Sequence, residues 1–198
     1  MRLAILLRWA RRLLIVCAVS LLAYCGFVLI DARIFQKEED RQLQSLLTAT
    51  GRVSPASLKT LETLPPAATG GLIGRMDIPR LGISAIVMEG TSGATLRRAL
   101  GHISGTALPG QPGNVGISGH RDTFFRPLRK IEPNDIVTLT TMAGEYRYRV
   151  LSTKVVGPDD VAVLDAGDDE TLTLVTCYPF YFVGPAPDRF IVRAQRVV

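Results

Sequence analysis

The hydrophobic and polar positions divide the chain into three stretches. Residues 13–30, LLIVCAVSLLAYCGFVLI, run for 18 positions without a charge, close to the helix length that crosses a hydrocarbon core of about 30 Å. DARIFQKEEDRQLQSLL (31–47) follows, mixing charges with strong helix formers, and predicts a stalk helix. Residues 48–71 include TGRVSP and LPPAATGG and read as a linker. Stalk and linker together are expected to be a plain spacer, holding the remainder of the chain off a bilayer.

From about Leu72 to Val198 the pattern changes to short runs rich in Val, Ile, Thr and Tyr. Strands are predicted at 73–78, 83–88, 114–118, 135–140, 145–156, 171–177 and 189–197, with alternation plain in EYRYRV and RFIVRA. Turn signals such as PGQPGN and TMAGE separate them. Only short helices fit the gaps, near 94–100 and 124–130. Many short strands at regular intervals make the folded part all-β, a closed barrel or sandwich. No repeat period is present, and no Gly-rich phosphate loop lies between a strand and a helix.

Composition changes this picture in two ways. The formal charge is +5, but residues 1–30 carry Arg2, Arg8, Arg11 and Arg12 and no acid, which leaves 19 basic and 18 acidic residues for the rest. A nearly neutral folded part gives no support to nucleic-acid binding, which needs a clustered basic face. The four arginines precede the apolar run, so the N-terminus is expected to stay cytoplasmic and the folded domain to be extracytoplasmic. A cleaved signal peptide would have a shorter apolar region followed by a small-residue cleavage site, and none follows Ile30. A retained single-pass anchor in the cell membrane is therefore expected. Cysteine usage agrees. Cys17 and Cys25 fall in the anchor, and Cys177 has no partner in the folded domain, which leaves an exported thiol open to reactivity.

Cysteine chemistry on a peptide needs a thiolate, a proton carrier beside it and a donor for the developing oxyanion. Cys177 ends the apolar run TLTLVT and is followed by Tyr178 and Pro179. Proline cannot donate to a ladder, so the strand stops there and the thiol falls at a rim. His120 opens the loop after the strand NVGIS, and imidazole suits proton transfer near neutral pH. His102, between a short helix and a Pro/Gly loop, is the alternative base and is assigned a structural role. Arg189 opens the strand RFIVRA, 12 residues after the thiol. If the two strands pair, its fixed fork of donors lies near Cys177. Buried filler remains the competing account of a cysteine in a strand-rich core.

Other chemistries fit less well. His120-Arg121-Asp122 spells the kinase catalytic-loop tripeptide, but Pro127 stands where that motif has asparagine. A zinc site would need a C-x-x-C or H-x-x-x-H spacing that the chain lacks. The acidic loops DDV (159–161) and DAGDDE (165–170) have no recognisable calcium-ligand spacing. An L,D-transpeptidase would bring His and Cys together in an S-H-G-C-like run, whereas here they lie 57 residues apart. A membrane-tethered peptide-binding module without catalysis is the rival from another class.

TLTLVTCYPFYFVGPAPDRFIVRA resembles the sortase signature T-L-x-T-C with its downstream arginine, and NVGISGHRDTFF resembles the family's histidine segment. CYPFYFVG, DRFIVRA and GHRDTFFRPL are similar to the class D branch. The resemblance spans about residues 72–198, the implied catalytic domain, preceded by a cytoplasmic N-terminus at 1–12, the anchor at 13–30 and stalk plus linker at 31–71. It implies an eight-stranded β-barrel and transpeptidation at an LPxT-like sorting motif through a thioacyl intermediate. Cys177 takes the place of the nucleophile, His120 of the general acid/base and Arg189 of the transition-state arginine. Thr176 helps to shape the substrate site. No cofactor is implied. The implied partners are a sorting-motif peptide of exported proteins, an amine acceptor (a cell-wall precursor or a pilin lysine) and the membrane.

Overall fold

The computed structural model describes residues 2–50, 71–167, 169–181 and 184–197. Most of the linker expected at 48–71 lies outside the described residues. Helix α1 (Arg2–Thr50) is followed by strands β1 (Leu72–Ile78) and β2 (Ile83–Glu89), helix α2 (Gly93–Arg98), and strands β3 (Leu100–His102) and β4 (Asn114–Ser118). A 3-10 helix at Arg126–Lys130 leads to β5 (Ile136–Thr141), β6 (Gly144–Val156), β7 (Thr171–Tyr178) and β8 (Asp188–Val197).

The eight strands close into a barrel in the order β1-β2-β3-β4-β7-β8-β6-β5. Closure removes the free edges that an open sheet would present. Two pairs are parallel, β2/β3 and β4/β7, and the other contacts are antiparallel. Alternation sets which side chains face inward. In β6, Tyr148 and Val150 are buried while Arg147 and Arg149 are exposed. Met76, Val87, Ile117, Leu139, Leu172 and Val192 meet them inside the barrel. Each such side chain contributes roughly 1.5–3 kcal/mol by leaving water. Between β1 and β2 the chain reverses through a 3-10 turn at Pro79–Leu81, closed by Gly82 at φ +64°, a left-handed position suited to glycine.

Strand β3 is the element that alternation does not reveal. It has three residues, one of them Gly101, and it follows α2 after a single residue. A run so short cannot display a period. Its pairing with β2 and β4 nevertheless completes the barrel wall.

The N-terminal segment also differs from expectation. Residues 13–30 and 31–47 belong to one continuous helix, and the second part packs on the barrel instead of acting as a plain spacer. Phe35 packs against Ile86, Met88 and Ala99. Gln36 donates to the Arg98 carbonyl at 2.6 Å and accepts from the Ile86 amide at 2.8 Å. Asp31 pairs with Arg98 at 2.8 Å and Asp40 with Arg75 at 2.7 Å. The β2/β3 ladder starts only at Val87↔Leu100, so Gln36 serves the Ile86 amide where a strand partner ends. Leu13, Leu14, Val16, Leu21 and Leu22 are exposed on the first part. Among the described residues this is the one helix long and apolar enough to cross a membrane.

Candidate active site at the ends of β4, β7 and β8

Strand β7 ends at Tyr178, immediately before Pro179, and carries Cys177 to the barrel rim. Strand β8 returns antiparallel with Arg189 directly opposite Cys177. Residues opposite one another across an antiparallel pair project to the same face. Thr176 and Phe190 form the neighbouring pair and point the other way, toward the core, where Thr176 is only 2% exposed. Cys177 and Arg189 therefore share the outer face, both half-buried.

His120 comes to the same place through β4. Strands β4 and β7 pair in parallel, with Ser118 opposite Val175. The ladder ends there, and His120 follows two residues later, at the same end of the barrel to which β7 carries Cys177. Within β4, alternation turns Val115 and Ile117 to the core. Gly119 locks the alignment. Its amide donates to the Val175 carbonyl at 3.2 Å, and its carbonyl accepts from the Thr176 hydroxyl at 2.7 Å. A Cβ on Gly119 would lie 2.6 Å from Leu100 Cδ2 and 2.8 Å from Phe125 Cδ2. Glycine is what lets β4 end flush against that packing.

The surroundings set what the groups can do. Tyr178, Phe180 and Phe190 form an aromatic cluster, with ring centroids 5.2–6.3 Å apart, under the thiol end of the sheet. It gives Cys177 and Arg189 a rigid base. The Arg189 guanidinium donates from Nη1 to the carbonyls of Asp188 at 3.0 Å and Ala186 at 3.3 Å. Those bonds hold the fork at the mouth of the β7–β8 loop. His120 is exposed, and its carbonyl accepts from the amides of Thr123 and Phe125 in the following turn. The β7/β8 register thus pairs a thiol with a guanidinium, and the exposed imidazole follows the end of the neighbouring strand β4; acyl transfer through a thioester uses groups of these three kinds.

His102 lies elsewhere. It is 3% exposed, with Nδ1 at 2.6 Å from Glu89 Oε2 and Nε2 at 2.9 Å from the Ala107 carbonyl. Ser104 donates to the second Glu89 oxygen at 2.7 Å. Both ring nitrogens are engaged inside the β2–β3–β4 corner, which stitches the loop after β3 to the barrel wall. Sequence reasoning gave no separate role to Arg121, which it takes only as part of His120-Arg121-Asp122. Arg121 is 6% exposed and donates to the carbonyls of Pro179 at 2.9 Å and Gly184 at 3.0 Å. No local signal marks such a contact, since its partners lie 58 and 63 residues away.

Comparison with known proteins agrees with this architecture. A family model of the sortase domain matches residues 76–197. Sortase D of Bacillus subtilis (strain 168) is 31% identical over 189 residues, covering 93% of this chain and 96% of that protein. A solved structure of a Clostridium perfringens Sortase D5 transpeptidase superposes with a TM-score of 0.69 at 27% identity, over 83% of this chain and 99% of that one. The structure of Clostridium perfringens sortase C with the C-terminal cell wall sorting motif gives a TM-score of 0.68 at 25% identity, over 80% of this chain and 98% of that one. A closed eight-stranded barrel, a family match across the barrel and a Sortase D relative along nearly the whole chain lead to one conclusion: the chain belongs to the sortase family of transpeptidases and is class D-like.

Proposed function

We propose that this protein is a membrane-anchored cysteine transpeptidase in which Cys177 is the nucleophile, His120 the general acid/base and Arg189 the oxyanion partner. The observation that supports the reading is the strand register: Arg189 lies opposite Cys177 across β7/β8, and β4, paired with β7 as far as Ser118, ends two residues before His120. The substrate is the sorting motif of an exported protein, of the LPxT type. Cys177 passes its proton to His120 as Sγ attacks the Thr carbonyl carbon, and the peptide bond to the following Gly or Ala breaks once His120 has delivered that proton to the leaving amine. A thioester to Cys177 remains. An acceptor amine then attacks the same carbon, His120 takes its proton, and the C–S bond breaks as His120 returns that proton to the departing sulfur, restoring the thiol. Arg189 stabilises the negative oxygen in both tetrahedral intermediates, a task that preorganised donors perform with little reorganisation. Thr176 acts beneath the site, holding Gly119 through its buried hydroxyl and thereby setting the floor on which the peptide rests. The acceptor amine belongs to a cell-wall precursor or a pilin lysine.

The N-terminus is cytoplasmic and the barrel extracytoplasmic, as the arginines ahead of the apolar run favour. Holding enzyme and substrate on one membrane raises their mutual concentration without any new contact. The test is to incubate the full chain in nanodiscs with LPxTA and LPxTG peptides, with and without an added amine. A thioester on Cys177 that disappears when amine is added, leaving the peptide–amine product, supports the reading. Intact folded protein with no Cys177 adduct contradicts it.

A further inference from the structure

The three proposed groups sit on two segments of chain that the barrel alone does not join past its rim. His120 begins the loop after β4, while Cys177 and Arg189 flank the β7–β8 loop. Arg121 joins them. Its guanidinium is buried, which is costly for a charge unless its donors are satisfied. It bonds the carbonyl of Pro179, two residues after Cys177, and that of Gly184, five residues before Arg189. The two Nη atoms thus bridge carbonyls from both halves of the loop, a span that suits the rigid fork of arginine and not the single ammonium of lysine. One peptide bond separates this clamp from His120. A second, outer contact runs the same way: Arg129, in the 3-10 helix that follows, lies over the Tyr181 ring at 5.5 Å.

We propose that Arg121 is a positioning residue that holds the β7–β8 loop, and with it the surroundings of Cys177 and Arg189, in register with His120. The proposal rests on the transpeptidase reading for its kinetic consequence, but the clamp itself has a readout that needs no activity. Releasing it would shift the proton carrier relative to the thiol, and a displacement of about 1 Å at a reacting pair costs about 100-fold in rate.

The experiment compares wild type, Arg121→Lys and Arg121→Ala as full chains in nanodiscs. Three quantities are read: amide hydrogen exchange, single-turnover thioester formation with a sorting peptide, and alkylation of Cys177 by iodoacetamide. The expected result is faster exchange confined to the described residues on either side of the clamp, 178–181 and 184–189, with β1 and β2 unchanged. Thioester formation falls about 100-fold in Arg121→Ala, with Arg121→Lys recovering only part of the loss. Alkylation, which reports the thiolate and its local surroundings, changes far less than thioester formation, because it does not require the proton carrier and oxyanion donor to be aligned on a peptide. Wild-type loop exchange in both variants would overturn the proposal. So would an increase in exchange spread evenly through the barrel, which marks a general stabilising role. Arg121→Lys keeps the charge and serves if Arg121→Ala does not fold. Should wild type form no thioester with any peptide, the transpeptidase reading falls, and the exchange data still decide whether Arg121 clamps the loop.

Discussion

Two histidines compete for one chemical role, and their surroundings separate them. His102 has both nitrogens committed inside the barrel wall, to Glu89 and to the Ala107 carbonyl. Replacing it with alanine leaves the Glu89 carboxyl buried with the Ser104 hydroxyl still donating to it but without the imidazole, and is expected to cost about 1–3 kcal/mol of stability. The thioester rate per folded molecule should not change. Urea unfolding and single-turnover kinetics on His102→Ala check the two halves separately. A loss of rate without a loss of stability would move the acid/base role from His120 to His102. Arg189→Ala should show the reverse: near-normal unfolding with thioester formation slowed by about 100- to 1,000-fold, the usual loss for an oxyanion donor. Gly119→Ala tests the alignment itself. Its methyl would press on Leu100 and Phe125, so a destabilisation of about 1–3 kcal/mol is expected in urea unfolding, together with slower acylation as His120 is displaced.

Among the elements, the docked part of α1 changes what the N-terminal segment does. Gln36 bridges β2 and the end of α2, so Gln36→Ala leaves the Ile86 amide without that acceptor and should cost about 1–3 kcal/mol. If α1 were a spacer, the substitution would be neutral. A pH-dependent tie joins the β1–β2 turn to the start of β5, where Asp135 is buried and bonded by Arg80, at 2.6 Å through Nη2. That hydrogen bond holds the Asp135 carboxyl below the usual carboxylate range. A carboxyl depressed in the folded state contributes stability above its unfolded value, near 3.9, and loses it as pH falls through the folded value. Asp135→Asn should therefore be less stable than wild type at pH 7, with the gap closing as the solution is acidified below about pH 4. A gap that stays constant to pH 2 would contradict the assignment. The alternating strands were legible because one face of each meets a core, as Tyr148 and Val150 do in β6. Strand β3 was not, being too short for a period. The docking face of α1 was hidden for another reason. Asp31, Phe35, Gln36 and Asp40 are mostly polar, and their partners lie as far as 67 residues away.

For the whole molecule, charge and hydropathy divide the work. Basic residues gather ahead of an exposed apolar helix, and a nearly neutral barrel follows. The continuous α1 connects the two, so the barrel is held by a helix that packs on β1, β2 and α2 and not by a free tether. The candidate catalytic set was legible in the sequence because the chain offers so few thiols and imidazoles, and because Pro179 fixes where β7 must stop. Its mutual placement was not, since register across β7/β8 and β4/β7 is decided by barrel closure. The Arg121 clamp was hidden by the same long range. The central claim is that these registers bring a thiol, an imidazole and a guanidinium together for acyl transfer, and mass spectrometry of the full chain in nanodiscs with an LPxTA peptide tests it most directly. A single acyl adduct ending at the motif's Thr should map to Cys177 in wild type, vanish in Cys177→Ala and be discharged by added amine. A folded wild-type protein with no adduct, or with its adduct on another residue, would contradict it.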